Sequence, residues 1–333
     1  MEEIIELAKV VGKYGGIYTT HMRNEADQLL SSVEETIRVA KEAHVRTNIS
    51  HLKVLYKKNG PLLDKALKMI EQANAEGCDI FFDVYPYAAC SATILSTLPP
   101  SYLTRGMDWL AEELGTPEGV ARLEKAIMEP TEAWENPMLN AGFDRDMIVI
   151  APETPDAVGK LVSEYAREKG MRDVEAYAYI IAKNRGAVKD IRFIMEEDDL
   201  VRLYQHPLCV LGTDGLYAGA PGLTHPRGTA SFPRFLGRFI REKKIMSRGE
   251  GIRKITGLTA DRYGLKNKGY IRVGYDADLV LFDFETIIDH ATYAEPFLPS
   301  EGIEMVFVGG QAAVVKNQPT GVYNGRAYTR NGE

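Results

Sequence analysis

The chain has 333 residues and is 45% hydrophobic, enough to bury a large core in one big α/β domain with an appendage or in two ordinary domains. Its formal net charge of −7, with no block of lysine and arginine, argues against a nucleic-acid or anionic-membrane surface, and no apolar run reaches membrane-spanning length. Cys78, Cys90 and Cys209 are widely spaced and odd in number, matching neither a zinc-ligand pair nor a disulfide framework, so a soluble, cytoplasmic protein is expected.

In chain order, residues 3–13 place Ile4, Ile5, Ala8 and Val11 on one face, as for a helix packed on a sheet, and this acidic start is neither a signal nor a transit peptide. Gly16 to Thr20 reads as a strand closed by His21. A helix follows, starting at Ser31 or Ser32, with Val33, Ile37, Val39, Ala40 and Ala43 on its buried side. Thr47 to Ser50 is a second strand, closed by His51. Pro61 opens a further helix that Gly77 closes, and Ile80 to Val84 reads as a strand buried on both faces, carrying Asp83 near its end. Three such units in succession are the pattern of a β/α barrel or a doubly wound sheet.

The rhythm breaks after Pro100. Residues 98–155 hold both tryptophans, Trp109 and Trp134, and one β-rich run, Met147 to Ile150; an excursion there is a lid or specificity insertion, or a passive elaboration. Helices are expected at 156–169, 173–184 and 196–205. A buried strand then ends at Gly212-Thr213-Asp214-Gly215, a loop carries His225-Pro226-Arg227, and helices follow at 230–243 and 248–258. From Gly269 onward short strands (269–274, 277–283, 304–310, 312–315) predict a small β module of at least four strands.

The groups at strand carboxyl ends are His21, His51, Asp83 with Tyr85, and Asp214. In parallel α/β proteins these ends lie side by side and share one mouth. Taken singly, each histidine reads first as a satisfied polar residue in a loop. Together, two imidazoles could hold a zinc ion that activates water, and a carboxylate could take the water's proton and pass it to a leaving amine. A catalytic zinc takes three protein ligands, and no third of comparable quality is evident. His44 sits at a helix end, His206 at the far end of a strand and His290 in the β module, whereas His225 borders the loop with Arg227. Lys53 and Arg227 are cations that suit a substrate carboxylate, or else pair as ordinary surface ions. Arg23, Asn24 and Glu25 could orient His21 or cap the following helix. Tyr85 and Ser91 could donate to a carboxylate, as could Tyr87.

Thr20-His21-Met22-Arg23-Asn24-Glu25, Ile49-Ser50-His51-Leu52-Lys53, Asp83-Val84-Tyr85-Pro86-Tyr87, Gly212-Thr213-Asp214-Gly215 and His225-Pro226-Arg227 occur in that order and resemble the D-aminoacylase (N-acyl-D-amino-acid deacylase) branch of the amidohydrolase superfamily. Gly269 to Val280 is similar to that superfamily's return from barrel to β-sandwich. The resemblance implies a partial TIM-type barrel, later strands only, with an insertion after the seventh strand and a small C-terminal β-sandwich module. The corresponding segments are 1–97 (strands five to seven), 98–155 (insertion), 156–262 (remaining barrel with the eighth strand) and 263–333 (sandwich module).

The same resemblance implies zinc, with His21 and His51 as ligands, Asp214 as the catalytic carboxylate, and Lys53, Tyr85, Ser91 and Arg227 around the carboxylate of an N-acyl-D-amino acid. The family's His-x-His motif occurs nowhere in this sequence, so the chain looks like the C-terminal part of such an enzyme, able to self-associate through exposed barrel edges. Two other readings are a catalytically silent binding or assembly subunit and a hydrolase of cyclic amides on the same scaffold.

Overall fold

A computed structural model describes residues 1–216 and 223–328; 217–222 and 329–333, within the expected segments 156–262 and 263–333, lie outside the described residues. The first helix, α1 (Glu2–Lys13), has acidic residues in its first turn and a lysine in its last, complementing the helix dipole, and buries Ile5 and Ala8. It leads into strand β1 (Ile17–Thr20), then helix α2 (Leu29–Ala43) and strand β2 (Arg46–Ile49). Helix α2 begins before the expected serines because Asn24 organises the approach, its Oδ1 accepting the N–H groups of Ala26 and Gln28 at 2.9 and 3.0 Å. Helix α3 (Pro61–Ala75) follows, with proline in its first turn, and Asn74 near its end staples it to strand β3 (Ile80–Val84) by two hydrogen bonds to Ile80.

The chain then builds a second sheet from β4 (Cys90–Thr93), β5 (Asp146–Ile150) and β6 (Lys189–Arg192), antiparallel in the order β4-β6-β5. The excursion therefore spans Cys90 to Arg192, longer than the 98–155 read from composition. Helices Val162–Lys169 and Asp173–Lys183, expected in the segment after the insertion, share its core: Tyr165, Tyr177, Ile180 and Ile181 pack with Ile94, Leu110 and Leu123. An amphipathic pattern names a helix's buried face but not the core that receives it.

After helix Glu197–Gln205 the chain re-enters the first sheet as β7 (Cys209–Leu211), which pairs parallel with β3 and completes the order β1-β2-β3-β7. The core beneath gathers Leu29, Val33, Ile49, Ile70, Phe82 and Val84 with Tyr204, Phe235 and Phe239. Four parallel strands with helical connections put Thr20, Ile49, Val84 and Leu211 at a common end.

The C-terminal module is one antiparallel sheet, β11-β10-β9-β8, made of β8 (Leu279–Phe282), β9 (Ile303–Val308), β10 (Gln311–Val315) and β11 (Gln318–Pro319). The strand expected at 269–274 is not formed. Ile271 and Val273 there stand exposed, and the module shows one β layer among the described residues, where two were expected. Cys78, Cys90 and Cys209 are all free thiols, and no helix of the described residues is long and apolar enough to cross a membrane.

Candidate active site

His21 follows β1 and His51 lies two residues past β2, and the parallel pairing of these strands brings their rings together, centroids 4.6 Å apart and tilted by 38°. His21 Nδ1 faces His51 Nε2. His51 holds its backbone in the left-handed region (φ 43°), uncommon for a residue with a side chain. Asp83 supports that turn: Oδ1 accepts the His51 N–H at 2.9 Å and Oδ2 accepts Asn48 Nδ2 at 2.7 Å. Burial pushes the Asp83 carboxyl up, against these hydrogen bonds. Gly212 makes room for it, since a Cβ there would stand 2.9 Å from Asp83 Cγ.

Behind the ring pair, Glu25 contacts His51 Nδ1 at 3.1 Å and Lys53 Nζ at 2.6 Å. Lys53 also lies 2.7 Å from His51 Nδ1 and donates to the His51 carbonyl at 3.0 Å. Burial opposes the charge on Glu25, but Lys53 and His51 outweigh it and hold its carboxyl below the usual range. His51 Nδ1 can either accept from Lys53 or donate to Glu25, and in the second case Nε2 is left as a lone pair toward His21. Glu25 thus serves His51 and Lys53, whereas the sequence offered it to His21 or to a helix cap.

Asp214, also left-handed at φ 46°, follows β7. Arg227 Nη2 meets Asp214 Oδ2 at 2.8 Å and its Nε donates to the Asp214 carbonyl at 2.9 Å. The guanidinium rests on the Tyr85 ring, 4.5 Å from the centroid, and Nη1 is buried without a hydrogen-bond partner among the described residues. His225 orients this loop: its Nδ1 accepts the Arg227 N–H at 3.1 Å and its Nε2 donates to the Ala89 carbonyl at 3.0 Å. Burial and the Arg227 charge push its pKa well down, so it stays neutral. A cleft lined by Ser91, Val149, Ile150, Lys189, Asp214 and Arg227 opens here, and a second of about 180 Å³ lies beside His21, Thr20 and Arg23.

Lys53, Arg227 and Tyr85 therefore cluster, with Lys53 Nζ 5.9 Å from the Tyr85 ring centroid. The Tyr85 hydroxyl, however, lies against Met195 Sδ at 3.5 Å, and the one proton of the Ser91 hydroxyl goes to the Asp190 carbonyl at 2.6 Å. Both hydroxyls are committed to the fold in this arrangement. His44 closes α2 in a left-handed cap, His206 pairs with Glu71 and His290 with Glu301, all away from the mouth.

Residues 142–314, just over half of the chain, match the model of the Amidohydrolase family. The chain belongs to the amidohydrolase family. It is 32% identical over 330 residues to a D-aminoacylase of Alcaligenes xylosoxydans xylosoxydans, a match covering 99% of this chain and 58% of that protein. The structure superposes with a TM-score of 0.77 on an N-acyl-D-glutamate deacylase from Bordetella bronchiseptica complexed with zinc and a phosphonate mimic of the tetrahedral intermediate. That match has 28% identity and covers 96% of this chain and 57% of that one. A solved D-aminoacylase matches with a TM-score of 0.76 and 30% identity, covering 98% of this chain and 58% of that one. The chain thus spans a little over half the length of the curated relatives it matches.

As a metal site, the two facing imidazoles are a donor pair of the kind zinc takes. Among the described residues no group of three His, Cys, Asp or Glu is placed to hold a metal, so the pair would be only part of a coordination sphere.

Proposed function

We propose that this amidohydrolase takes part in zinc-dependent hydrolysis of the amide bond of N-acyl-D-amino acids, giving a D-amino acid and a carboxylate. The observation that carries the reading is the convergence, at the carboxyl ends of parallel strands, of an imidazole pair with an Asp–Arg pair whose guanidinium keeps a donor free among the described residues. The zinc and the intermediate mimic in the Bordetella deacylase support it. We read the parallel sheet as the later strands of a TIM-type barrel, and the antiparallel module as belonging to a β-sandwich.

In this reading His21 Nδ1 and His51 Nε2 hold the metal. Zinc bound there supplies Lewis-acid chemistry, polarising the amide carbonyl and lowering the pKa of water. Asp214 takes a proton from the attacking water as the new C–O bond forms, then returns it to the amine as the C–N bond breaks. Arg227 holds Asp214 in place and offers Nη1 to the substrate carboxylate. Lys53 adds positive potential from the His51 side, its charge shared with Glu25. Tyr85 is the surface on which both cations rest, and Ser91 lines the cleft.

Hydrolysis of N-acetyl-D-amino acids, their L-enantiomers and a cyclic amide, assayed with zinc supplied, tests the reading. Turnover selective for the linear D-substrates is expected; a zinc-loaded protein that turns over the cyclic amide alone, or nothing, contradicts it. A second reading, a silent assembly subunit that pairs with another chain or a second copy through sheet edges, is favoured by β1 and β7 having one strand partner each among the described residues and by the incomplete ligand set. In that case zinc uptake and turnover are both absent from the chain alone.

A further inference from the structure

The excursion does more than cover its own core, for one of its turns reaches back to the parallel sheet. Between helices Pro117–Met128 and Pro137–Ala141 the chain is held from several sides. Asn136, left-handed at φ 45°, caps the second helix through its Oδ1 and ties its Nδ2 to the Ile127 carbonyl at 2.9 Å. Asn140 Nδ2 holds the Glu135 carbonyl at 2.7 Å, while its Oδ1 accepts Lys58 Nζ, from the loop after β2, at 2.8 Å. These contacts direct the Glu135 side chain to the backbone N–H of Glu25, which its Oε1 accepts at 2.7 Å across 110 residues of sequence.

Glu25 is thereby gripped at both ends of its own backbone, since its carbonyl accepts the Leu55 N–H at 2.8 Å. With N–H and carbonyl both fixed, the backbone holds the point from which the carboxylate reaches His51 Nδ1 and Lys53 Nζ. We propose that Glu135 is a positioning residue for the candidate site: by accepting the Glu25 N–H it aligns the Glu25 carboxylate, and through it the His51 ring and the Lys53 ammonium. The inference rests on the reading of His51 as a metal ligand. Partners that orient a ligating histidine commonly change metal affinity by about ten- to a hundredfold when removed, and Glu135 stands one step further out.

The test measures zinc affinity of the whole chain by competition with a chromophoric chelator, together with the urea unfolding midpoint of each variant. Glu135→Ala is expected to weaken zinc binding by about tenfold. Glu135→Gln, whose amide oxygen can still accept the Glu25 N–H, is expected to restore wild-type affinity. A purely structural role would move the midpoint and leave the affinity of the folded protein alone. Should Glu135→Ala not fold, Glu135→Met, which keeps length and offers no oxygen, takes its place. The proposal is overturned if the oxygen-free variant binds zinc as the wild type does, or if Glu135→Gln is as weak as it. Absence of zinc binding by the wild type would overturn the metal-site reading and this inference together, whereas the first two outcomes remove this inference alone.

Discussion

The Glu25–Lys53–His51 cluster at the mouth of the parallel sheet and the Asp190–Arg192–Asp146 cluster in the excursion are both withdrawn from water, and they spend their charge differently. In the excursion Arg192 is spent on its neighbours. Arg192 Nε and Nη2 bond Asp190 at 3.0 and 3.1 Å, and Nη2 also reaches Ser96 at 2.7 Å. Asp146 sits opposite Arg192 in the strand register, and in ionised form neither of its oxygens finds a donor among the described residues. At the mouth of the parallel sheet the charges instead orient an imidazole whose second nitrogen points away from them, toward His21. A closed cluster holds a fold together, whereas a cluster that ends on a free lone pair can hold a ligand.

The largest way to break this contrast is Arg192→Met. It leaves Asp190 buried without its cation and should cost about 3–5 kcal/mol in urea unfolding, the usual penalty for halving a buried ion pair. Zinc affinity of whatever remains folded should be unchanged. His51→Ala should do the reverse: zinc affinity falls by at least about a hundredfold, while the unfolding midpoint of the metal-free chain moves little. Equal effects of the two variants on both measurements would erase the distinction.

The two clusters also respond to pH with opposite sign. Burial and then the Asp190 charge push the Asp146 carboxyl well above the ordinary range, with Arg192 opposing. The folded state therefore favours the protonated form, which can donate to Asp190. Stability from this group is present below the unfolded pKa of about 4 and is lost as pH rises through the raised folded value. Asp146→Asn should accordingly show a shallower fall in urea midpoint than the wild type as pH rises above about 4. Glu25 has the opposite sign: its lowered carboxyl pKa contributes stability at neutral pH that is lost on acidification. The smallest effect is expected for Ser91→Ala. Its hydroxyl is spent on the Asp190 carbonyl, so unfolding should change by no more than about 1.5 kcal/mol and zinc affinity not at all.

Much of this was legible in the sequence where chemistry and local pattern coincide. His21, His51 and Asp214 each end a strand, and strand ends can be read from a short apolar run; the structure places all three at one end of the sheet. Glu25 was visible as a chemically able residue, but its partner was not, because which neighbour a loop side chain reaches depends on the adjacent strand. Glu135 carried no local signal, since its partner is distant in sequence and is a backbone N–H, which any residue but proline would offer. The extent of the excursion was hidden for a related reason. Helices 162–169 and 173–183 have the periodicity of barrel helices, and only the pairing of β4 with β6 shows which core they serve.

In the proposed function His21 and His51 together hold a metal through their facing nitrogens, which X-ray absorption at the zinc edge of the zinc-loaded chain probes at the metal itself. Two imidazole ligands at about 2.0–2.1 Å are expected, with the imidazole signal diminished in both His21→Ala and His51→Ala. A sphere with sulfur at about 2.3 Å, or an imidazole signal unchanged in both variants, would contradict it.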